Sequence, residues 1–194
     1  MNKVLPTSFD APNSWFSQPE PDHLVHFYPY DSALSSSLQA YIGDGLRHGD
    51  TCVIIATKRH IAQLEQALDD QGLELAAFRQ IGQYLSLDAT ELLAQFMDND
   101  LPDWQRFLSA IEPVVLFTQQ TNAPVRLFGE MVALLWQQNN LSGVLLLEKF
   151  WNRLASMHKF SLYCAYPLLH FDTSLHGEAL AEISRHHDLV TQQP

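Results

Sequence analysis

Two short stretches of this chain carry charged and amide side chains at spacings that chemistry can use. In VRLFGEMVALLW (125–136), Arg126 and Glu130 bracket the glycine that closes an apolar run. Glu130 then falls near the start of the next helix, where the helix dipole favours an anion. It reads either as an ordinary helix-start carboxylate or as a polar group facing a pocket. In LEKFWNRLA (147–155), Glu148 and Asn152 stand four apart on one helical face, beside the apolar stripe of Leu147, Phe150, Trp151 and Leu154. The aromatic residues there read as core, with Glu148 and Asn152 tying the helix to Arg126 or to backbone.

Other reactive residue types lack a partner in the sequence. His23 and His26 are three apart on a strand candidate, a spacing that sends them to opposite faces and prevents them from chelating one metal. His170, His176, His186 and His187 gather in the tail, where histidines are ordinarily solvated, so no metal site is assigned. Cys52 and Cys164 sit inside the apolar runs TCVIIAT and SLYCAYP and read as buried core thiols of a reducing compartment rather than nucleophiles. H-E-x-x-H, C-x-x-C, G-x-S-x-G and G-x-G-x-x-G are absent. A phosphate-binding loop would need glycines and a lysine in the first strand-to-helix turn. That turn reads FYPYDSALSS, with Asp31 where phosphate would be repelled. No catalytic residue and no cofactor are expected, and the chain is not expected to be an enzyme.

The elements that must position these residues alternate. HLVHFY (23–28), TCVIIAT (51–57), APVRLF (123–128) and FSLYCAYP (160–167) read as strands, and FRQIGQYLSL (78–87) as one or two short strands around Gly82. Helices are expected after Asp31 or Ser32 as cap, after Thr57 with Gly72 as stop, and after the capping box Asp88-Ala89-Thr90-Glu91. Another should start near Pro102-Asp103, to be kinked or divided at Pro113. Asn139-Asn140 separates two more, and 177–187 is a further helix candidate. Strands apolar throughout, alternating with helices, argue for an α/β fold of three layers: a mostly parallel sheet with helices on both faces. In such folds ligands bind beyond the carboxyl ends of the strands, which here are Tyr28 to Asp31, Thr57 to His60, Gly129-Glu130 and Tyr166-Pro167.

Composition bounds the partners. The 194 residues are 46% hydrophobic, enough for one domain with its own core. Eleven Lys and Arg face 22 Asp and Glu, a formal charge of −11, which repels a nucleic-acid backbone. No apolar stretch approaches the roughly 20 residues a bilayer span needs. The opening MNKVLPTSFDAPNSWFSQPEPD has no signal-peptide core, and its prolines make residues 1–22 an extended or disordered leader. Residues 23–190 form a single domain, and the expected location is cytoplasmic.

Six segments, HLVHFYPYDSAL, GLRHGDTCVIIAT, GQYLSLDATELLAQFM, RLFGEMVALLW, LEKFWNRLA and FSLYCAYP, follow one another in an order that resembles the methanogen/methylotroph sensory (MEDS) domain, from about residue 23 to 168. The tail ISRHHDLV is similar to that family's usual ending. The resemblance implies a RecA/KaiC-like fold that has lost its phosphate loop. It also implies a sensory input module for small organic compounds such as hydrocarbon derivatives, commonly joined to histidine kinases, PAS domains or DNA-binding outputs. The family's recurrent positions fall on His23, Phe27, Tyr28, Asp31, Gly129, Glu130, Trp136, Glu148, Trp151, Asn152 and Tyr166. With Thr57 from the strand-end reading and Arg126 from the segment 125–136, the ligand-binding candidates are His23, Tyr28, Asp31, Thr57, Arg126, Glu130, Glu148, Trp151, Asn152 and Tyr166. Asn139-Asn140-Leu141 departs from the family, where a glycine-containing turn is usual.

The expected function is a stand-alone, non-catalytic sensory module. It binds a small organic ligand, a signalling partner such as a histidine kinase or regulator of a two-component system, or both, and acts in trans because the domain fills 23–190. No nucleic acid or membrane partner is expected, and a homodimer stays open. The alternative is a degenerate RecA-like nucleotide-binding protein or weak NTPase with Glu130 as base. A third reading is a structural adaptor. A cavity lined by Tyr28, Asp31, Glu130 and Tyr166 is expected of a sensor, and a packed interior there of an adaptor.

Overall fold

The structure, a computed structural model, describes residues 23–168, 173–185 and 187–192. In chain order, β1 (His23–Tyr28) leads to α1 (Asp31–His48), β2 (Thr51–Ala56), α2 (Lys58–Asp70), α3 (Leu75–Gln80), β3 (Tyr84–Asp88) and α4 (Ala89–Phe96). A two-residue hairpin, β4 (Met97–Asp98) and β5 (Leu101–Pro102), precedes α5 (Trp104–Gln119) and β6 (Val125–Gly129). Then come α6 (Met131–Gln137), α7 (Leu141–Met157), β7 (Ser161–Pro167), α8 (Thr173–Arg185) and β8 (Leu189–Gln192). Six strands pair in the order β3-β2-β6-β7-β1-β8, every pairing parallel.

Both faces of the sheet are buried, which is why β1, β2 and β6 are buried at every position and read as largely apolar runs, with His23, His26 and Arg126 among their buried polar members. Side chains at alternate positions go to opposite cores. Val25, Phe27, Leu162, Cys164 and Tyr166 pack among residues of α4, α5, α6, α7 and α8. Leu24, Tyr28, Phe128, Tyr163 and Ala165 pack against α1, α2 and α3. The result is the three-layer α/β arrangement, helices on either side of a parallel sheet.

Local chemistry sets most boundaries. Thr57 caps α2, its hydroxyl accepting from the His60 N–H, and Asp88 caps α4 by accepting from the Glu91 N–H. The first helix differs from expectation: its N-cap is Tyr30, without a side-chain bond, and Asp31 is already the first helical residue. Residues 78–80 finish a short helix rather than starting a strand, and Gly82, at φ 75°, turns the chain into β3. Pro113 does not divide α5. It and Ser109, whose carbonyl loses a partner to the proline ring, both lie on the exposed side of the helix, where the carbonyl is open to solvent. Asn139 takes a left-handed φ of 56°, and Asn140 caps α7 by accepting from the Gly143 N–H. Asparagine tolerates that conformation, so this connection does without the family's glycine. The final helix runs Thr173–Arg185 rather than 177–187, and it is followed by β8, a strand the apolar pattern did not signal. The expected leader at 1–22 lies outside the described residues.

Candidate functional site

Two carboxylates organise two separate polar groups. The first group lies at the carboxyl ends of β2 and β6, which are neighbours, with Ile55 paired to Gly129. Glu130 is the N-cap residue of α6 and is 2% exposed. One of its oxygens accepts the Thr57 backbone N–H at 2.7 Å, and the other faces Nδ1 of His60 at 2.7 Å. The hydrogen bond to Glu130 raises the His60 pKa above its ordinary value against the opposing effect of burial. Asp31 stands 2.9 Å from Arg59 and 3.9 Å from His60, half exposed. Tyr28 is buried nearby, and burial, followed by the charges of Glu130 and Asp31, raises its phenol pKa. The group is therefore a paired, partly solvated set with its charges already answered.

The second group is sealed inside the sheet's other face. Glu148, on α7, is completely buried, and its Oε1 accepts the hydroxyl proton of Tyr166 from β7. Its Oε2 lies 3.5 Å from Nε2 of His23, at the start of β1, and 3.5 Å from Nε2 of His187, which follows α8. Cys164 Sγ is 3.4 Å from the same His23 nitrogen. His23, Glu148, Cys164 and His187 each offer one donor atom, and these atoms all lie within 4.8 Å of one another. The imidazoles are held from behind. Nδ1 of His23 donates to Asn152 Oδ1 at 2.9 Å, and Nδ1 of His187 donates to the Ile183 carbonyl at 2.7 Å. The two rings lie 3.9 Å apart between centroids. Asp188 clamps the same place by accepting the His23 N–H and donating its own N–H to the His23 carbonyl. Burial lowers the His23 pKa to about 4 against the pull of Glu148, and it raises the Cys164 thiol and the Tyr166 phenol well above their usual values, with Glu148 adding to both. The set can bind a cation or a small polar ligand with well-oriented lone pairs. It offers no hydroxyl or thiol poised as a free nucleophile.

The profile of the MEDS family (methanogen/methylotroph, DcmR sensory domain) matches residues 22–188. The chain belongs to the MEDS family. It thus carries a sensory domain. None of the curated proteins matches it.

Within this MEDS domain the ten candidate residues do not converge on one pocket. His23, Glu148, Asn152 and Tyr166 come together. Tyr28, Asp31, Thr57 and Glu130 form the other group, on the far side of the sheet from Tyr166. Trp151 is core: its indole stacks edge-on against Phe107 at 5.1 Å and covers Gly129, and its N–H has no hydrogen-bond partner among the described residues. Arg126 sits at the opposite end of β6 from Glu130 and pairs at 2.7 Å with Asp50, not with Glu148 or Asn152. Gly45 makes room for that guanidinium stem, since a Cβ there would meet Arg126 Cδ at 2.7 Å.

Tyr28, Glu130 and Tyr166 are buried, and Tyr28 and Tyr166 point into different cores, so these residues do not line one cavity with Asp31. Beside Asp31 and His60 only about 10 Å³ is open, room for a single water at most. A wide groove of about 1040 Å³ lies instead at the amino ends of β6 and β7, lined by Pro124, Met157, His158 and Ser161 among others.

Three members of the polar groups went unsignalled. His187 is buried rather than solvated, because β8 pairs with β1 and draws the tail into the core. Cys164 could have been found, since it lies two residues before Tyr166 on a strand and so shares its face. His60 could have been found three residues after the Thr57 cap. His23 and His26 do face opposite sides, as their spacing requires: His26 reaches Tyr163 on the α1 side at 2.8 Å. His170 and His186 lie outside the described residues.

Proposed function

We propose that this MEDS domain senses a small molecule at the Glu148 cluster and reports occupancy through its C-terminal segment to a signalling partner, such as a histidine kinase or regulator. The observation that supports this reading most directly is the completely buried Glu148 carboxylate surrounded by His23, His187, Cys164 and Tyr166. Burying so many polar groups costs stability that an apolar core would not forfeit, so a structural role alone gives no reason for them. The cluster joins four parts of the chain: β1, β7, α7 and the turn between α8 and β8. A change in what it holds therefore bears on how the tail is docked, which is a route from ligand to surface. The net charge of −11 favours a partner with a basic face.

On this reading the domain is non-catalytic and its partner is met in trans. Glu130, the base of the nucleotide-hydrolysis alternative, has one oxygen on the Thr57 N–H and the other on His60. The test is affinity capture from the cell of origin, with native mass spectrometry of the captured protein. The expected result is a retained small species together with a kinase or regulator, both diminished in Glu148→Gln. Capture unaffected by that substitution, with no retained species, would favour the adaptor.

A further inference from the structure

The electrostatics of the Glu148 cluster raise a question that its hydrogen bonds leave open. Nδ1 of His187 faces a carbonyl oxygen, which can only accept, so the proton of the neutral ring is on Nδ1 and Nε2 carries a lone pair. The bond from His23 to Asn152 Oδ1 places that ring's proton in the same way. Both Nε2 lone pairs therefore point towards the Glu148 carboxylate, each 3.5 Å from Oε2, with a thiol sulfur 3.4 Å from His23 Nε2. Electron-rich atoms gathered this closely in a dry interior need a proton or a metal ion among them, and the four donor atoms are placed for a metal ion.

The spacing specifies which kind. Bonds of about 2.0–2.3 Å to nitrogen, oxygen and sulfur, arranged tetrahedrally, set neighbouring ligand atoms roughly 3.3–3.7 Å apart. Three of the six separations, 3.4, 3.5 and 3.5 Å, fall on those edges, and all six lie within 4.8 Å. Two imidazoles, one thiolate and one carboxylate are a borderline-soft donor set suited to zinc and its neighbours, not to magnesium or calcium. A divalent ion with one thiolate and one carboxylate is electrically neutral overall, which suits complete burial. The outer contacts are also in place: Asn152 behind His23, the Ile183 carbonyl behind His187, and the Tyr166 hydroxyl on the second oxygen of Glu148.

We infer that His23, Glu148, Cys164 and His187 form a closed tetrahedral site for a divalent transition metal of the zinc class. The ion enters as the Cys164 thiol gives its proton to solvent. Four protein ligands fill its coordination, so it acts as a clasp between β1, β7, α7 and the tail rather than as a hydrolytic centre. This deepens the sensory reading and rests on it for placing the responsive site at Glu148, yet metal uptake is measurable whether or not the chain signals.

The experiment strips the full chain with a chelator and titrates it separately with Zn²⁺ and Co²⁺. One equivalent of Co²⁺ is expected to give the intense ligand-field bands of a tetrahedral ion and a thiolate-to-cobalt charge-transfer band. Zn²⁺ should displace the cobalt and raise the melting temperature. Cys164→Ser should lose the charge-transfer band, and Asn152→Ala should weaken Zn²⁺ binding by about 10–100-fold. Uptake that does not saturate at one equivalent, or a cobalt spectrum lacking the thiolate band, overturns the site. The wild-type spectrum carries the test even where a variant fails to fold. Partner capture is then compared between stripped and zinc-loaded chain. A loaded site with unchanged capture upholds the metal and overturns the sensory reading, whereas no metal uptake with Glu148-dependent capture does the reverse.

Discussion

Glu130 and Glu148 are the same residue solved in two ways. Glu130 terminates a strand near solvent, and its charge is met by a backbone amide and a histidine whose affinity for a proton is raised. Glu148 lies in the middle of a helix against the centre of the sheet. It is met by a phenol and two imidazoles, of which His23 is held neutral by burial. A proton can settle the first group. The second is sealed from solvent, and it is built from parts that only the finished fold brings together. The contrast separates a polar group that helps position α2 and α6 from one whose cost needs another explanation.

The largest expected effect is on the buried side. Glu148→Ala leaves Tyr166, His23 and His187 facing a hole and should cost about 3–5 kcal/mol in urea unfolding. A cost under 1 kcal/mol would erase the contrast. Next comes His26, on the strand that carries His23, which faces Tyr163 and Tyr28. Burial lowers its pKa from 6.5 to about 4. The unfolded chain therefore takes up a proton in that interval and the folded one does not, so stability falls as pH drops from 6.5 towards 4, by roughly 3 kcal/mol over the window. His26→Gln, which keeps a polar partner for Tyr163, should make that acid limb shallower and leave the share of His23, whose pKa burial also lowers to about 4. An unchanged limb would mean the proton goes elsewhere.

Glu130→Ala should cost less than Glu148→Ala, about 1–3 kcal/mol, because water can reach the groups it abandons. His60 titrates in the opposite sense to His26. Its folded pKa is raised by Glu130, with Asp31 adding and Arg59 opposing, so the pair's contribution is complete below pH 6.5 and fades as pH rises through the folded value. Comparing His60→Gln with wild type at several pH values should show a gap that closes on the alkaline side. The smallest effect is Thr57→Ala. Its capping bond is long, 3.5 Å, against 2.8 Å for Asp88, so it should cost under about 1 kcal/mol and less than Asp88→Ala.

Much of the frame was legible because it depends on local pattern. Apolar runs marked β1, β2, β6 and β7, and the i, i+4 spacing rightly put Glu148 and Asn152 on one face. What they touch was not legible, since the partners come from the first strand and from beyond α8. The sequence reading tied them to Arg126 or to backbone, but Arg126 lies at the amino end of β6 and is occupied by Asp50 and the Tyr41 carbonyl. His187 was hidden for a similar reason. Its burial follows from β8, four residues too short to mark a strand by pattern alone, which pair with β1. The single pocket expected at the strand ends was divided by the sheet itself: Tyr28 and Tyr166 lie at neighbouring strand ends but point into different cores.

The short outer strand has one more consequence. With β8 in place, β1 is an inner strand paired on both sides. With β8 lifted away, β1 would present unsatisfied amides and carbonyls along one edge of a segment that is buried on both faces. Any strand of matching length could then add there, whether from a second copy or from an unrelated chain. The tail therefore moves the sheet's edge outwards from β1 to a four-residue strand, and its anchorage at His187 and Asp188 helps hold that cover in place.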